Sequence, residues 1–389
     1  MILRELSKSI EEAASQFPVV AILGPRQSGK TTLVKTIFTN HKYVSLEDLD
    51  IRELANLDPR RFLQDYPTTS GLILDEIQHA PKLLSYIQTI VDREKKNGFF
   101  IITGSQNLLV DEAVTQTLAG RIALLTLFPL SLSELANADL IPKKIEEAVF
   151  KGSYPRIYAE NISPQKVYAN YIRTYIERDV LTIKKIEDLN TFQRFIQLCA
   201  GRIGQILNLS SLGNDCGIDH KTARSWLSIL EATYVIFLLY PYYKNFGKRL
   251  IKSPKLYFVD TGIACSLLRI KTSEELIEHY LRGNLVESFI IGDFFKQYYN
   301  ADQPPHIYFW RDTQDHEIDC IIDNVTTITP IEIKAGKTPS MHYFDQLTYW
   351  NGITQSCQES IVVYAGDENQ NWPAGKLVSW KFAGKLLKP

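Results

Sequence analysis

The first third of the chain contains short, continuously apolar runs, each followed by glycine or polar residues. Continuous runs of four to eight apolar residues are typical of buried strands. Polar stretches with helical spacing, such as 32–38 and 58–62, lie between the runs. This alternation predicts an α/β domain in which helices cover a parallel sheet on both faces, forming three layers. The predicted strands are 19–23, 43–46, 71–74, 99–102 and 122–127.

The first strand leads into a segment that matches the phosphate-binding pattern G-x-x-x-x-G-K-[ST]. Glycines allow a tight turn whose backbone N–H groups point at phosphate oxygens, and the following helix adds its positive end. Lys30 is expected to reach the β- and γ-phosphates, and Thr31 to hold magnesium. The pattern predicts binding of ATP with Mg²⁺. The predicted nucleotide-binding residues here are Gly24, Pro25, Arg26, Gln27, Ser28, Gly29, Lys30, Thr31 and Thr32.

Two carboxylates end the apolar run at 71–74, as in a Walker B motif. Asp75 is expected to hold magnesium through water, and Glu76 to orient and deprotonate the attacking water. The run at 99–102 continues into Thr103 and Ser105, either of which could sense the γ-phosphate or simply lie in a turn. Arg121, before the last strand, could stabilise phosphate charge in cis or from a neighbouring subunit, or be a surface arginine.

The middle of the chain has the pattern of a helix-turn-helix. A short helix at 208–216 should stop at Gly217, and Asp219 is a good N-cap for a second helix at 220–232. Apolar segments at 234–240 and 255–259 follow, which is the plan of a winged helix. Lys221 and Arg224 near the start of the second helix could read DNA, although such a module could also serve only for packing.

Carboxylates with a distinctive spacing occur near the end of the chain. Asp319 lies in a predicted strand, and Glu332 and Lys334 share one face of the next strand because their spacing is two. This arrangement matches the PD-(D/E)xK nuclease pattern, in which Asp319 and Glu332 hold magnesium, Lys334 positions water and Glu287 completes the shell. The alternative is two exposed strands with ordinary charge pairs.

Composition places few further limits on function. The length of 389 residues predicts two or three domains. The net charge of −1 argues against a general nucleic-acid binder. Residues 191–255 contain nine basic and three acidic residues, whereas 256–389 contain eleven and seventeen, so an anionic partner would suit the middle. Five scattered cysteines, no signal peptide and no long apolar stretch predict free thiols, a cytoplasmic location and no membrane contact.

The motif order resembles the AAA+ superfamily, in particular bacterial and archaeal ATPases that carry a C-terminal domain of unassigned function. The resemblance implies three domains, at 1–140 (AAA-type ATPase), 141–255 (helical and winged helix) and 256–389 (restriction-endonuclease-like). It also implies that Pro155, in the segment 152–155, packs against adenine as in STAND-type relatives. The matching segments are 24–31, 72–78, 101–105, 118–121, 128–131 and 171–180.

Two functions fit these residues. In the first, ATP binding and hydrolysis control a winged helix and a nuclease-like domain that act on DNA. In the second, the nucleotide cycle is a molecular switch that exposes a surface for protein partners or self-association, and the nuclease-like domain is inactive.

Overall fold

The computed structural model describes residues 2–66, 70–105, 118–176, 188–243, 252–324, 326–354 and 359–387. These residues form two compact units. The first unit contains the described residues of Leu3–Pro129 together with Tyr299–Gln303, and the second contains the rest. Within the described ranges, no helix has the length and apolar character needed to cross a membrane.

The first unit is built on a five-stranded sheet with the strand order β2-β3-β4-β1-β5, in which every pair is parallel. Successive residues of β1 belong to different cores: Val19, Ala21 and Leu23 to one, Val20 and Ile22 to the other. Helices therefore cover both faces, which is why the strands are continuously apolar. This confirms the predicted α/β class with a parallel sheet. The strands are β1 (Val19–Leu23), β2 (Lys42–Ser45), β3 (Leu72–Asp75), β4 (Phe100–Gly104) and β5 (Ile122–Thr126).

Local sequence explains where the helices of this unit begin. The carboxylate of Asp58 accepts a hydrogen bond from the N–H of Arg61, and Pro59 occupies the first helical position, where its missing N–H costs nothing. The helices are α1 (Ser7–Gln16), α2 (Lys30–Ile37), α3 (Leu49–Leu57), α4 (Pro59–Gln64) and α5 (Leu83–Glu94), with a 3₁₀ turn at Ile77–His79.

Nine described helices of the second unit come before residue 280 in the chain. A capping box between Ser131 and Glu134 starts the first of them. They are α6 (Leu132–Asn137), α7 (Ile145–Lys151), α8 (Pro155–Ala159), α9 (Pro164–Tyr171, continued by a π-helical turn at Ile172–Ile176), α10 (Leu189–Ala200), α11 (Leu209–Cys216), α12 (His220–Ala232), α13 (Thr261–Leu267) and α14 (Ser273–Glu278). Residues 177–180 of the matching segment 171–180 lie outside the described residues.

The predicted helix-turn-helix elements are present as α11 and α12. Gly217 ends α11 with a left-handed backbone, and Asp219 caps α12 by accepting from the N–H groups of Lys221 (2.7 Å) and Thr222 (3.0 Å). An antiparallel pair of strands, β6 (Ile236–Leu239) and β7 (Lys255–Phe258), follows.

The C-terminal part contains a six-stranded mixed sheet with the order β12-β13-β11-β10-β9-β8. Strands β8, β9 and β10 are antiparallel, whereas β10, β11 and β13 are parallel. The strands are β8 (Ile307–Arg311), β9 (Glu317–Asp323), β10 (Ile328–Lys334), β11 (Ile361–Tyr364), β12 (Gln370–Trp372) and β13 (Gly375–Ser379); the helical elements are α15 (Arg282–Asn300), α16 (Asp345–Ile353) and 3₁₀ segments at Met341–Phe344 and Trp380–Leu387.

Candidate functional site

The loop between β1 and α2 has the backbone that phosphate binding needs. Gly24 (φ +141°) and Gly29 (φ +97°) adopt conformations that other residues rarely take. A side chain at Gly24 would meet the carbonyl oxygen of Leu127 at 2.2 Å, so only glycine fits between β1 and the end of β5. The loop also turns at Gln27 (φ 61°).

An arginine that sequence reasoning missed supports this loop. The guanidinium of Arg4 is buried and donates to the carbonyl oxygens of Ser28 (2.7 Å) and Phe128 (2.6 Å). Arg4 therefore joins the loop to the segment after β5. It lies far from the motif in sequence and has no pattern of its own, so no local signal identifies it.

The ammonium of Lys30 lies inside the loop. It donates to the carbonyl oxygens of Gly24 (3.0 Å) and Pro25 (2.9 Å). Burial lowers the pKa of Lys30 to about 8, although Glu76 and Asp75 act in the opposite direction. A positive group is thus held by neutral carbonyl oxygens at the start of α2, where an anion can compete for it.

Thr31 and Asp75 meet at the carboxyl edge of the sheet. The hydroxyl of Thr31 donates to both carboxylate oxygens of Asp75, at 3.1 and 3.0 Å. The hydroxyls of Tyr43 (2.7 Å) and Thr103 also donate to Asp75. Burial and the hydrogen bond to Asp75 raise the pKa of Tyr43. The sequence offered Thr103 or Ser105 as a phosphate sensor, and that role stays a prediction; the structure adds that Thr103 is a partner of Asp75. Nothing in the sequence indicated the role of Tyr43.

Glu76 is held beside them in a left-handed backbone (φ 59°, ψ 55°), which is uncommon for a residue other than glycine. Its N–H donates to Thr103 Oγ1 at 3.2 Å, and its carboxylate accepts from Gln78. Gln78 also donates to Ser105 Oγ at 3.1 Å. Burial would raise the pKa of Glu76, but Lys30 and these hydrogen bonds outweigh it and lower the pKa. Glu76 is thus an ionised carboxylate close to Lys30.

Arg121 does not lie near the phosphate-binding loop of its own unit. β5 is parallel to β1, with Ile122 opposite Val19, so Arg121 is at the amino edge of the sheet. The loop follows the carboxyl edge, about 15 Å away at ~3.3 Å per residue. Arg121 instead forms a two-point ion pair with Asp92, with Nε–Oδ1 2.5 Å and Nη2–Oδ2 3.0 Å. The prediction that Arg121 contacts the phosphates bound by its own subunit is therefore wrong. A role at the nucleotide of a neighbouring subunit stays a prediction.

Two other predicted nucleotide-binding residues remain predictions. Thr32 is exposed on the first turn of α2. Pro155 begins α8 in the second unit.

A second cluster of charged residues lies in the C-terminal sheet. The register of β9 and β10 places Cys320 opposite Ile331, so Asp319 and Glu332 face each other one step further along. The carboxylate of Asp319 accepts from the N–H of Ile333 at 2.8 Å, and Lys334 donates to Glu332. The two carboxylates and Lys334 therefore converge on one face.

The predicted fourth member, Glu287, has other partners. Lys255 on β7 is buried and donates to Glu287 Oε1 at 2.9 Å, and it also forms an ion pair with Glu317. Tyr257 donates to the same oxygen of Glu287. No group of three or more His, Cys, Asp or Glu residues in the described ranges is arranged to hold a metal ion. The magnesium shell of Glu287, Asp319 and Glu332 stays a prediction, and Glu287 would have to exchange Lys255 for the ion.

Burial changes the acidity of this cluster. It raises the pKa of Glu332 to about 8 and that of Glu287 to about 7, and the Asp319 charge adds to both effects. Lys255 responds differently: burial alone would lower its pKa, but the charges of Glu287, Glu317 and Asp319 raise it. Lys255 was missed because a lysine at the start of a strand usually faces solvent; its burial depends on residues far along the chain.

Comparisons with known families agree with the first site. Residues 16–136 match a family model described as an AAA domain. Residues 142–274 and 282–382 match two domains of unknown function, DUF8612 and DUF4143. The first match supports an AAA-type ATPase and ATP binding, and the other two descriptions assign no activity.

Two relatives cover most of the chain. It is 29% identical to the uncharacterized protein Rv2008c of Mycobacterium tuberculosis, over 87% of this chain and 75% of that protein. It is 25% identical to the uncharacterized protein MJ1637 of Methanocaldococcus jannaschii, over 74% of this chain and 70% of that protein. Among solved structures, the Walker-type ATPase PABY2304 of Pyrococcus abyssi is 18% identical, covers 68% of this chain and 95% of its own, and has a TM-score of 0.42.

Proposed function

We propose that the protein binds ATP with Mg²⁺ and hydrolyses it, and that this cycle controls a DNA-contacting module in its middle segment. One observation carries the ATPase part: Thr31 Oγ1 lies 3.0 Å from Asp75 Oδ2, beside Lys30 and Glu76. Hydroxyl and carboxylate oxygens are the ligands that Mg²⁺ prefers, so the residues present fit this ion. When bound, Mg²⁺ would neutralise charge on the phosphates.

The residues of the loop then have separate tasks. Lys30 exchanges its two carbonyl partners for phosphate oxygens, and the N–H groups at the start of α2 add to the same field. Glu76 accepts a proton from the attacking water, which requires the ionised form that its lowered pKa favours. Gln78 and Ser105 orient the Glu76 carboxylate, since Gln78 donates to both side chains.

We infer that the DNA-contacting module is a winged helix formed by α11, α12, β6 and β7. Ala223 and Trp226 are buried on one face of α12, whereas Lys221, Arg224 and Ser228 are exposed on the other. An exposed basic face on the second helix of a helix-turn-helix suits the phosphates and base edges of a major groove. The excess of basic residues in 191–255 supports the same partner.

A second candidate function is the molecular switch, in which the C-terminal domain is a nuclease-like fold that recruits a protein partner or a second copy without cleaving DNA. One observation favours it: Lys255 already pairs with Glu287, which the nuclease pattern assigns to the metal. The Asp319–Glu332–Lys334 arrangement supports the nuclease-like fold in either case.

The test uses the full chain with supercoiled plasmid, ATP and Mg²⁺ or Mn²⁺, scored for phosphate release and nicking. We expect phosphate release to fall in Glu76→Gln. It should not fall in the control Glu53→Gln, because the side chain of Glu53 is exposed. Absence of ATP binding in calorimetry would contradict the ATPase proposal. If wild type nicks the plasmid and Glu332→Ala does not, the switch with an inactive nuclease-like domain is excluded. If wild type does not nick the plasmid, the switch is favoured.

DNA contact is measured separately, by the anisotropy of a labelled duplex. Lys221→Glu with Arg224→Glu should weaken binding, while Lys143→Glu with Lys144→Glu makes the same charge change at exposed positions before α7. Equal affinity of the two double variants would restrict the helix-turn-helix to packing.

A further inference from the structure

We propose that Lys255 is the resident cation of the C-terminal carboxylate cluster, so that this site is closed to metal ions and works as an internal ion-pair joint. The cluster joins three elements: β7 contributes Lys255, α15 contributes Glu287 and β9 contributes Glu317. The ammonium of Lys255 lies 2.9 Å from Glu287 Oε1 and also pairs with Glu317.

The position of Lys255 is that of a core residue. It is 2% exposed and lies on a strand whose other three residues are also buried. A lysine is almost never buried without a partner, because removing an ammonium from water is costly unless hydrogen bonds and opposite charges replace the water. Two carboxylates supply that replacement. The burial of Lys255 is therefore tied to the same oxygens that a divalent ion would need.

Cationic groups of the protein offset three of the four negative charges of this cluster without a metal. Within the described residues, the cluster contains four carboxylates, of Glu287, Glu317, Asp319 and Glu332. Three cationic groups accompany them: Lys255, Lys334 on Glu332, and Arg311, whose Nη1 lies 3.0 Å from Glu317 Oε2. A divalent ion added to this set would stand beside a buried ammonium, and like charges at that range repel. A metal ion therefore does not fit the residues present.

The joint also connects two segments of different sequence families. Lys255 belongs to the part that matches DUF8612, and Glu287 and Glu317 to the part that matches DUF4143. Tyr257, two residues further along β7, donates to Glu287 as well, so β7 is hydrogen-bonded to α15 at two points. The role inferred for Lys255 is to position the paired strands β6 and β7 on the C-terminal domain. This inference does not depend on ATP hydrolysis.

The experiment measures Mn²⁺ binding to the nucleotide-free full chain by electron paramagnetic resonance. The variants are Lys255→Met, which keeps the length of the side chain and removes its charge, and Glu287→Gln. Lys252→Met is the control, because Lys252 is exposed in the same segment. We expect that adding Glu287→Gln to wild type or to Lys252→Met does not change the amount of Mn²⁺ bound. Lys255→Met should bind Mn²⁺ at least about tenfold more tightly, since carboxylates left without their cation attract another, and Lys255→Met with Glu287→Gln should lose that gain.

Mn²⁺ bound by wild type and released in Glu287→Gln would overturn the proposal. So would a folded Lys255→Met with no gain in Mn²⁺ affinity. If Lys255→Met fails to fold, the comparison of wild type with Glu287→Gln decides alone: Glu287-dependent Mn²⁺ refutes the resident cation, and its absence supports it. Loss of ATPase activity in Lys30→Ala leaves each of these outcomes unchanged, so failure here and failure of the proposed ATPase are distinguishable.

Discussion

Replacing Gly24 by alanine should damage the phosphate-binding loop through its geometry alone. The backbone there has φ +141°, a region that is almost closed to other residues, and this strain costs about 1–3 kcal/mol. The new Cβ would lie 2.2 Å from Leu127 O and 3.0 Å from Leu127 C, and backbone atoms cannot move aside as a side-chain tip can. Leu127 also donates its N–H to Leu23 O at 2.8 Å, so separating the strands loses a hydrogen bond worth about 1 kcal/mol.

The sum is roughly 2–4 kcal/mol for Gly24→Ala, enough to lower the melting temperature of the first unit by about 10 °C. Gly120→Ala is the matched control, because Gly120 also has positive φ (+76°) but no atom within 4 Å of its added Cβ. It should cost only about 1 kcal/mol. Thermal melting by circular dichroism, with ATP binding by calorimetry, compares the two variants. If Gly24→Ala melts no earlier than Gly120→Ala and binds ATP as wild type does, the close approach to Leu127 is not what requires glycine.

Three further predictions concern single groups. Lys30→Ala should abolish ATP binding, because the loop then keeps only its N–H donors; tight binding in calorimetry would refute the assignment of the loop. Glu76→Gln should bind ATP normally but release phosphate roughly 10²–10⁴-fold more slowly, and an unchanged rate would assign the proton transfer to another residue. Lys221→Glu with Arg224→Glu should reduce the slope of log affinity against log salt by about 1.8, at about 0.9 for each lost phosphate contact, with ATP hydrolysis unchanged; an unchanged slope would contradict contact with DNA phosphates.

The features that the sequence predicts correctly are local ones. The continuous apolar run of β1 and the glycines that follow it identify a buried strand and a phosphate loop within thirteen residues. Asp219 and Gly217 likewise mark the ends of their helices by short-range chemistry. Such signals depend on backbone hydrogen bonds and turn geometry within a few residues of the marker.

The features that remained hidden depend on residues far apart in the chain. Arg121 directly precedes β5, a strand of the sheet that carries the phosphate-binding loop. The parallel register of β1 and β5 nevertheless places Arg121 at the edge of the sheet opposite that loop. Arg4 reaches Phe128, and Lys255 reaches Glu287 and Glu317. No periodicity carries such information, because each of these contacts depends on how distant segments pack. The four described cysteines are buried and free, as predicted, and Cys357 lies outside the described residues.

The three hydroxyl groups around Asp75 have a consequence for how quickly the site can respond. Tyr43, Thr31 and Thr103 all donate to this carboxylate and restrict its torsion, so little conformational entropy would remain to be lost if Mg²⁺ binds as proposed. Thr31 and Asp75 would hold the proposed Mg²⁺, and only the Thr31 hydroxyl would have to rotate to change from donor to ligand, a motion of picoseconds to nanoseconds. Tyr43→Phe should leave every proposed ligand in place and still weaken magnesium-dependent nucleotide binding. That residue would then tune the affinity of the site from β2 through its hydrogen bond to Asp75.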